Sequence, residues 1–200
     1  MTKPVVLTFP KHSSYDRFVS APLPIFSLGS YMQKYGYEDT EYFDERIQPM
    51  GDFKALLKKE PLLVGVSALT SYQIKSALNI AKLTKEHNPA IPVVWGGVHP
   101  TMMPEQTAES PYCDFIVRNE GEQTMLELVQ ALEQGKTDFS DIKGLTWKQG
   151  KQIISNPERP FMDFNDIPFV YEHPSRAIID RYVKLKGTIS RQPLIYQTTR

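Results

Sequence analysis

A three-layer α/β sandwich around a five-stranded parallel sheet is the fold class that this 200-residue sequence predicts. Three observations carry it. Short apolar runs alternate with amphipathic stretches of helical period, as in parallel sheets with right-handed crossovers. The runs are continuously apolar instead of alternating, which puts helices on both sheet faces. Glycine-containing turns follow the strands, where an open sheet of this kind forms its ligand crevice. Five such units fit the flavodoxin-like or Rossmann-like order.

Val5-Val6-Leu7-Thr8-Phe9 is the first strand, and a long loop follows from Pro10 to about Ala21. Pro24 opens a helix at a favoured first position. Leu28, Tyr31, Met32 and Tyr35 form its apolar face, and Gly36 ends it. Glu41-Tyr42-Phe43 lies in a weaker second strand, and a short helix spans Phe53 to Lys59. Leu62-Leu63-Val64-Gly65-Val66 is the clearest core strand. Ser71 is placed to cap the next helix, whose expected buried stripe is Ile74, Ala77, Leu78 and Ala81. Ile91 to Trp95 is the fourth strand and Phe115-Ile116-Val117 the fifth. Met125, Leu128, Val129 and Leu132 mark a helix that Gly135 stops. Residues 145–148 and 152–154, joined at Gln149-Gly150, read as a β-hairpin. A proline- and aromatic-rich connector runs from Asn156 to Pro174, and Arg176 to Tyr196 has no decisive period.

Composition narrows the function. Lys+Arg and Asp+Glu both total 23, so nothing in the charge favours nucleic acid or an anionic membrane as partner. No apolar run approaches the ~20 residues of a membrane span. Met1 leads directly into the first strand without a signal-peptide pattern, and the expected compartment is the cytoplasm. Cys113 is the single cysteine, expected as a half-buried packing residue, which excludes a multi-cysteine metal site. Asp44-Glu45-Arg46 follows the second strand, whereas a receiver-type phospho-acceptor needs an Asp where Ser67 stands. No glycine-rich dinucleotide loop follows the first strand, where Pro10-Lys11-His12-Ser13-Ser14 occurs.

The motifs converge on strand ends: Ser67-Ala68-Leu69-Thr70, Gly96-Gly97-Val98-His99-Pro100-Thr101, and Asn119-Glu120-Gly121-Glu122. In this order they resemble the N-terminal cobalamin-binding domain of cobalamin-dependent radical S-adenosylmethionine enzymes, in particular the group that includes anaerobic magnesium-protoporphyrin monomethyl ester cyclase. Ser67-x-Leu69 matches the turn after strand three of that family, and Gly96-Gly97-x-His-Pro-Thr its double glycine. Glu120-Gly121-Glu122 matches its Gly-Glu-Gly-Glu turn, with Asn119 in place of the first glycine. Arg159-Pro160 and the stretch from Asp163 to Pro168 resemble the family's linker. Thr198-Thr199-Arg200 resembles the segment before the cysteine loop that binds the iron–sulfur cluster. That loop is not in this sequence, so a 4Fe-4S cluster and S-adenosylmethionine are expected only in a missing radical SAM domain.

The resemblance implies a division into 1–135, a cobalamin-binding-like domain; 136–162, a hairpin extension; and 163–200, a linker towards the missing domain. It implies a cobalamin-binding module that serves methyl transfer, radical ring closure or rearrangement in the full protein and has no catalytic residue of its own. The expected cofactor-binding residues are Ser67, Leu69, Thr70, Gly96, Gly97, His99, Glu120, Gly121 and Thr124. Related domains that ligate cobalt place Asp-x-His-x-x-Gly after strand one. Here Pro10 precedes His12 by two and Tyr15 follows it by three, so a base-off cofactor without a histidine ligand is expected.

A structural reading stands beside each functional one. Ser67 and Thr70 can satisfy strand-end backbone groups, and Gly96 and Gly97 can simply form a tight turn. His99 can be an ordinary loop residue. Glu120 and Glu122 can answer a helix dipole worth ~0.3–1 kcal/mol. For the chain as a whole the alternative is a cofactor-free scaffold or docking domain, and beyond it a flavin- or nucleotide-binding domain. A scaffold should tolerate bulk at Gly97, whereas a cofactor slot should lose its ligand with Gly97→Val while staying folded.

Overall fold

The computed structural model describes residues 3–12, 19–171 and 176–184, and the Thr198-Thr199-Arg200 match lies outside them. Five strands, β1 (Val5–Phe9), β2 (Thr40–Asp44), β3 (Leu63–Ser67), β4 (Val93–Gly96) and β5 (Phe115–Val117), pair in parallel. Two more, β6 (Leu145–Gln149) and β7 (Gln152–Ser155), add antiparallel to the β5 side, giving the order β2-β1-β3-β4-β5-β6-β7. The expected five-stranded parallel sheet is therefore a mixed sheet of seven. The physical reason is an edge: β6 pairs the open side of β5, which would otherwise carry unsatisfied backbone groups. It also buries Leu145, Thr146 and Trp147.

Strand alternation divides the interior into two cores. Val5, Leu7, Leu63, Val94 and Val117 face one side, where α1 (Leu23–Lys34) brings Ile25, Phe26 and Met32. On the same side α6 (Glu122–Glu133) brings Met125, Leu128 and Val129. Val6, Val64, Val66, Trp95 and Ile116 face the other side. There α2 (Met50–Leu57) contributes Phe53 and Leu57, and α3 (Tyr72–His87) contributes Ala77, Ile80 and Ala81. Each fully buried large apolar side chain stabilises the fold by roughly 1.5–3 kcal/mol.

Several local expectations change. The buried stripe of α3 includes Gln73, Ser76 and Thr84, while Leu78 is exposed. Each polar member has a partner: Gln73 Nε2 donates to Pro10 O, Ser76 Oγ to Glu45 Oε2, and Thr84 Oγ1 to Ile80 O. Ser71 makes no side-chain cap and sits at φ +68. Gln73 Oε1 instead reaches back to accept the Leu69 N–H at 2.6 Å. Between β4 and β5 lie two short helices, α4 (Val98–Met102) and α5 (Pro104–Ala108), that the sequence reading does not anticipate. Cys113 is fully buried instead of half-buried, and that burial pushes its thiol up to about 12.

Beyond β7, a 3₁₀ turn (Phe164–Asp166) and α7 (Arg176–Val183) follow. Tyr182 of α7 is buried and donates its hydroxyl to Asp44 Oδ2 at 2.7 Å. Arg46 grips the same carboxylate, Nε to Oδ1 at 2.9 Å and Nη2 to Oδ2 at 2.6 Å. Asp44, the last residue of β2, thus anchors a distant helix while Arg46 holds its carboxylate in place. Among the described residues no helix is long and apolar enough to cross a membrane, and no group of three or more His, Cys, Asp or Glu could hold a metal ion.

Candidate functional site

A cavity of about 780 Å³ opens at the carboxyl edge of the sheet, on the α1/α6 side. Its floor is made of the strand residues whose alternation points them at that side. Leu7, Gly65 and Val94 form one row across β1, β3 and β4. Ser67, Gly96 and Val117 form a second row nearer the edge. Glycine at 65 and 96 leaves one position bare on each of two adjacent strands, beside Val94 and Ser67 respectively. A β-carbon on Gly65 would meet Leu7 Cδ2 at 2.9 Å. A β-carbon on Gly96 would meet only Val117 O, at an ordinary 3.6 Å. Bulk at Gly96 would therefore fill the cavity without disturbing its walls.

Gly97 is a different kind of glycine. It stands at φ +96 and ψ −170, a combination almost restricted to glycine. A β-carbon there would lie 2.8 Å from Ala68 O, a backbone atom. That closeness joins the turns after β3 and β4: Ala68 N–H donates to Gly96 O at 2.8 Å, and His99 N–H donates to Ala68 O at 3.2 Å. The Gly97→Val comparison expected to separate scaffold from slot thus confounds fold with binding, and Gly96 is the position that separates them.

The turn after β5 closes the next wall. Asn119 holds φ +58, which asparagine tolerates better than most residues, so it can replace a glycine. Its N–H donates to Thr101 Oγ1 at 3.0 Å, tying α4 to the acidic turn. Gly121 admits close packing, since a β-carbon would lie 3.0 Å from Val117 Cγ1 and 3.2 Å from Leu28 Cδ2. Glu122 is buried at the start of α6, and its Oε1 accepts from Ser27 Oγ at 2.6 Å. Both line the cavity. Glu120 Oε2 accepts the Met162 N–H at 2.8 Å.

Of the residues the sequence singles out, Ser67, Gly96, Gly97, Glu120 and Gly121 come together around the cavity. Leu69 and Thr70 are exposed on the turn after β3, and His99 is half-buried in α4; none of the three lines it. Thr124 lies behind the wall, fully buried, donating to Lys143 O and accepting from Arg159 Nε. The His12 ring packs edge-on against Phe9 and does not line the cavity. Sequence reasoning misses Gly65, the pairing of Ser27 with Glu122, and the wall formed by Phe161 and Ile167 to Val170. Gly65 had a signal: a lone glycine inside a Leu/Val strand marks a close backbone approach.

The arrangement can take the flat apolar end of a ligand edgewise, with hydroxyls and carboxylates around the mouth. The size and mostly apolar lining suit an organic cofactor.

A family model described as the B12 binding domain matches residues 17–129. An uncharacterized methyltransferase of Pyrococcus horikoshii is 34% identical over 167 residues, 80% of this chain and 36% of that protein. The anaerobic magnesium-protoporphyrin IX monomethyl ester cyclase of Rubrivivax gelatinosus is 35% identical over 156 residues, 73% of this chain and 28% of that protein. This chain thus spans about a third of the length of the relatives it matches. In fold it is similar to the radical enzyme OxsB with aqua-cobalamin and S-adenosylmethionine bound. That likeness has a TM-score of 0.72 at 23% identity, covering 84% of this chain and 24% of that one. It is also similar to the methyltransferase TsrM of Kitasatospora setae with cobalamin and a [4Fe-4S] cluster bound. There the TM-score is 0.65 at 21% identity, covering 83% of this chain and 30% of that one.

Proposed function

The chain belongs to the B12-binding domain family, and from that premise we propose that its carboxyl-edge cavity takes the nucleotide tail of a base-off cobalamin. The observation that carries this reading is the bare floor at Gly65 and Gly96, which makes room for a planar group that a β-branched side chain would exclude. The Ser67 hydroxyl is a polar anchor for the tail, and the backbone of Gly96 and Gly97 lies against it. Glu120 and Gly121 form the far lip. Leu69, Thr70 and His99 stand on the turns beside the mouth, where the corrin rests, and Thr124 supports the wall from behind.

His12 leaves cobalt without a protein ligand. The acid that would orient its imidazole is replaced by Pro10, and its ring is engaged against Phe9. Cobalamin, when bound, supplies methyl-carrier or radical chemistry that no protein side chain provides. The share of this chain is to bind the tail, orient the corrin and hold its lower face free of imidazole. Residues 1–135 form the binding unit, 136–162 extend its sheet, and 163–200 lead towards a radical S-adenosylmethionine domain that carries the 4Fe-4S cluster. In the full protein the reaction is methyl transfer or radical ring closure, by analogy with the named activities of the relatives.

Anaerobic titration with hydroxocobalamin, followed by desalting and an absorption spectrum, tests this. The expected result is retained cobalamin with a base-off spectrum, unchanged by His12→Ala. A spectrum that His12→Ala alters would overturn the missing lower ligand. Folded protein that retains no cobalamin, both as this chain and when extended through the cluster-binding domain, would leave the domain as a scaffold. A yellow chromophore would point to a flavin.

A further inference from the structure

The polar groups around the cavity are not equally placed. Ser67 and Glu120 are half-buried, and Asn119 is exposed. Among the described polar residues of the lining, only Ser27 and Glu122 are buried, each 4% exposed. Ser27 comes from α1, and Glu122 is the first residue of α6. Glu122 precedes Met125 by three residues, so the two share a helix face. Met125 Cε lies over the floor, 3.6 Å from where a Gly65 β-carbon would stand. The pair therefore sits in the cavity roof, about one helical turn nearer the edge than Met125.

An exposed carboxylate would answer the dipole of a helix start equally well. A buried one carries a desolvation cost that hydrogen bonds must offset. Ligand pockets hold such groups because a few polar atoms in an apolar lining set orientation and specificity. The chemistry of this pair is one-sided. The Ser27 hydroxyl donates to Glu122 Oε1 at 2.6 Å, and an ionised carboxylate accepts hydrogen bonds but donates none. Its two oxygens offer roughly four acceptor positions, so a ligand donor can join the bonds already made.

We infer that Glu122, oriented by Ser27, reads a hydrogen-bond donor on the nucleotide tail of the bound corrinoid. This deepens the cobalamin reading above and rests on it. The tail carries donors in two places: the ribose hydroxyls, and the amino group of a purine where one replaces benzimidazole as lower base. Benzimidazole itself, attached through one nitrogen and unprotonated at the other, has no N–H to give. A carboxylate in the roof thus sorts nucleotides by their donors, while the glycines of the floor accept any flat base.

The test measures dissociation constants of cobalamin, adeninylcobamide and cobinamide, which lacks the nucleotide, on the full chain and on Glu122→Gln. Glutamine keeps the size and one acceptor oxygen but loses the charge and brings N–H groups to the roof. A ribose donor predicts that both tailed corrinoids weaken about tenfold, as for a lost hydrogen bond to a charged group. A purine donor predicts that loss for adeninylcobamide alone. Cobinamide binding is unchanged in either case. Ser27→Ala keeps the carboxylate but removes its orienting hydroxyl, and should repeat the pattern with a smaller loss. Urea midpoints show whether each variant is folded, and Ser27→Ala decides if Glu122→Gln is not. No loss for any corrinoid, a loss that cobinamide shares, or a loss for cobalamin alone overturns the role of Glu122 and leaves cobalamin binding in place. A wild-type chain that holds no corrinoid, alone or extended through the cluster-binding domain, overturns the cobalamin reading and this inference with it.

Discussion

Gly97→Val is expected to destabilise the domain by about 3 kcal/mol or more, whereas Gly96→Val should leave it folded and unable to hold its ligand. The first expectation follows from backbone geometry. Position 97 combines φ +96 with ψ −170, where a β-branched residue is strained. Its β-carbon would also press on Ala68 O at 2.8 Å, and neither turn can yield without losing the bonds between them. The second follows from empty space. Valine suits a strand, and at Gly96 its β-carbon meets only Val117 O at 3.6 Å. The rest of the side chain projects over the floor between Ser67 and Val117. A steric overlap of ~3 kcal/mol there corresponds to about a hundredfold in affinity. Urea denaturation and a hydroxocobalamin titration on both variants separate the two effects. Wild-type affinity in Gly96→Val would place the tail somewhere other than this slot.

Asp44→Ala is expected to cost ~3–5 kcal/mol, the range for breaking a buried ion pair by removing one partner. The side chains of Asp44 and Arg46 are 2% and 4% exposed. Without the carboxylate, the Tyr182 hydroxyl loses its acceptor and the buried guanidinium is left with Ser20 O. Against a total stability of ~5–15 kcal/mol for a domain, that loss is large. Tyr182→Phe removes one hydrogen bond to the charge and should cost less, about 1.5–3 kcal/mol. Urea midpoints for the two variants give the order, and a reversed order would show that the pair contributes little. Burial, then the Asp44 charge, pushes the Tyr182 phenol far above its ordinary value. The unfolded phenol ionises near pH ~10 while the folded one stays neutral, so this contribution is complete below that pH and falls as pH rises beyond it.

Much of the architecture was legible because it rests on local pattern. Continuous apolar runs marked β1, β3 and β5, and helical spacing marked α6 with Met125, Leu128 and Val129 on its buried face. The face of α3 was misread because burial there follows hydrogen bonding as well as hydrophobicity. Gln73 is buried since it serves both Leu69 N–H and Pro10 O, and Leu78 is left outside. The helices α4 and α5 have five residues each, too few to show a period. At the site, the motif residues on strand ends were visible as sequence. The pairing of Glu120 with Met162 and of Asp44 with Tyr182 was not, because each joins segments whose proximity only the folded chain creates.

The β6–β7 hairpin sets a rule of parity for anything attached to this domain. Leu145 begins beside Val117 at the ligand edge, Gln149 turns at the far edge, and Ser155 returns beside Thr146. An even number of added strands brings the polypeptide back to the edge it left; one strand alone would export it to the opposite end. Whatever follows Ser155 therefore starts at the mouth of the slot. The turn at Gly150, exposed and at φ +62, points the other way. A fluorophore or surface tether placed there would report on the domain, or immobilise it, with its ligand mouth turned towards solution.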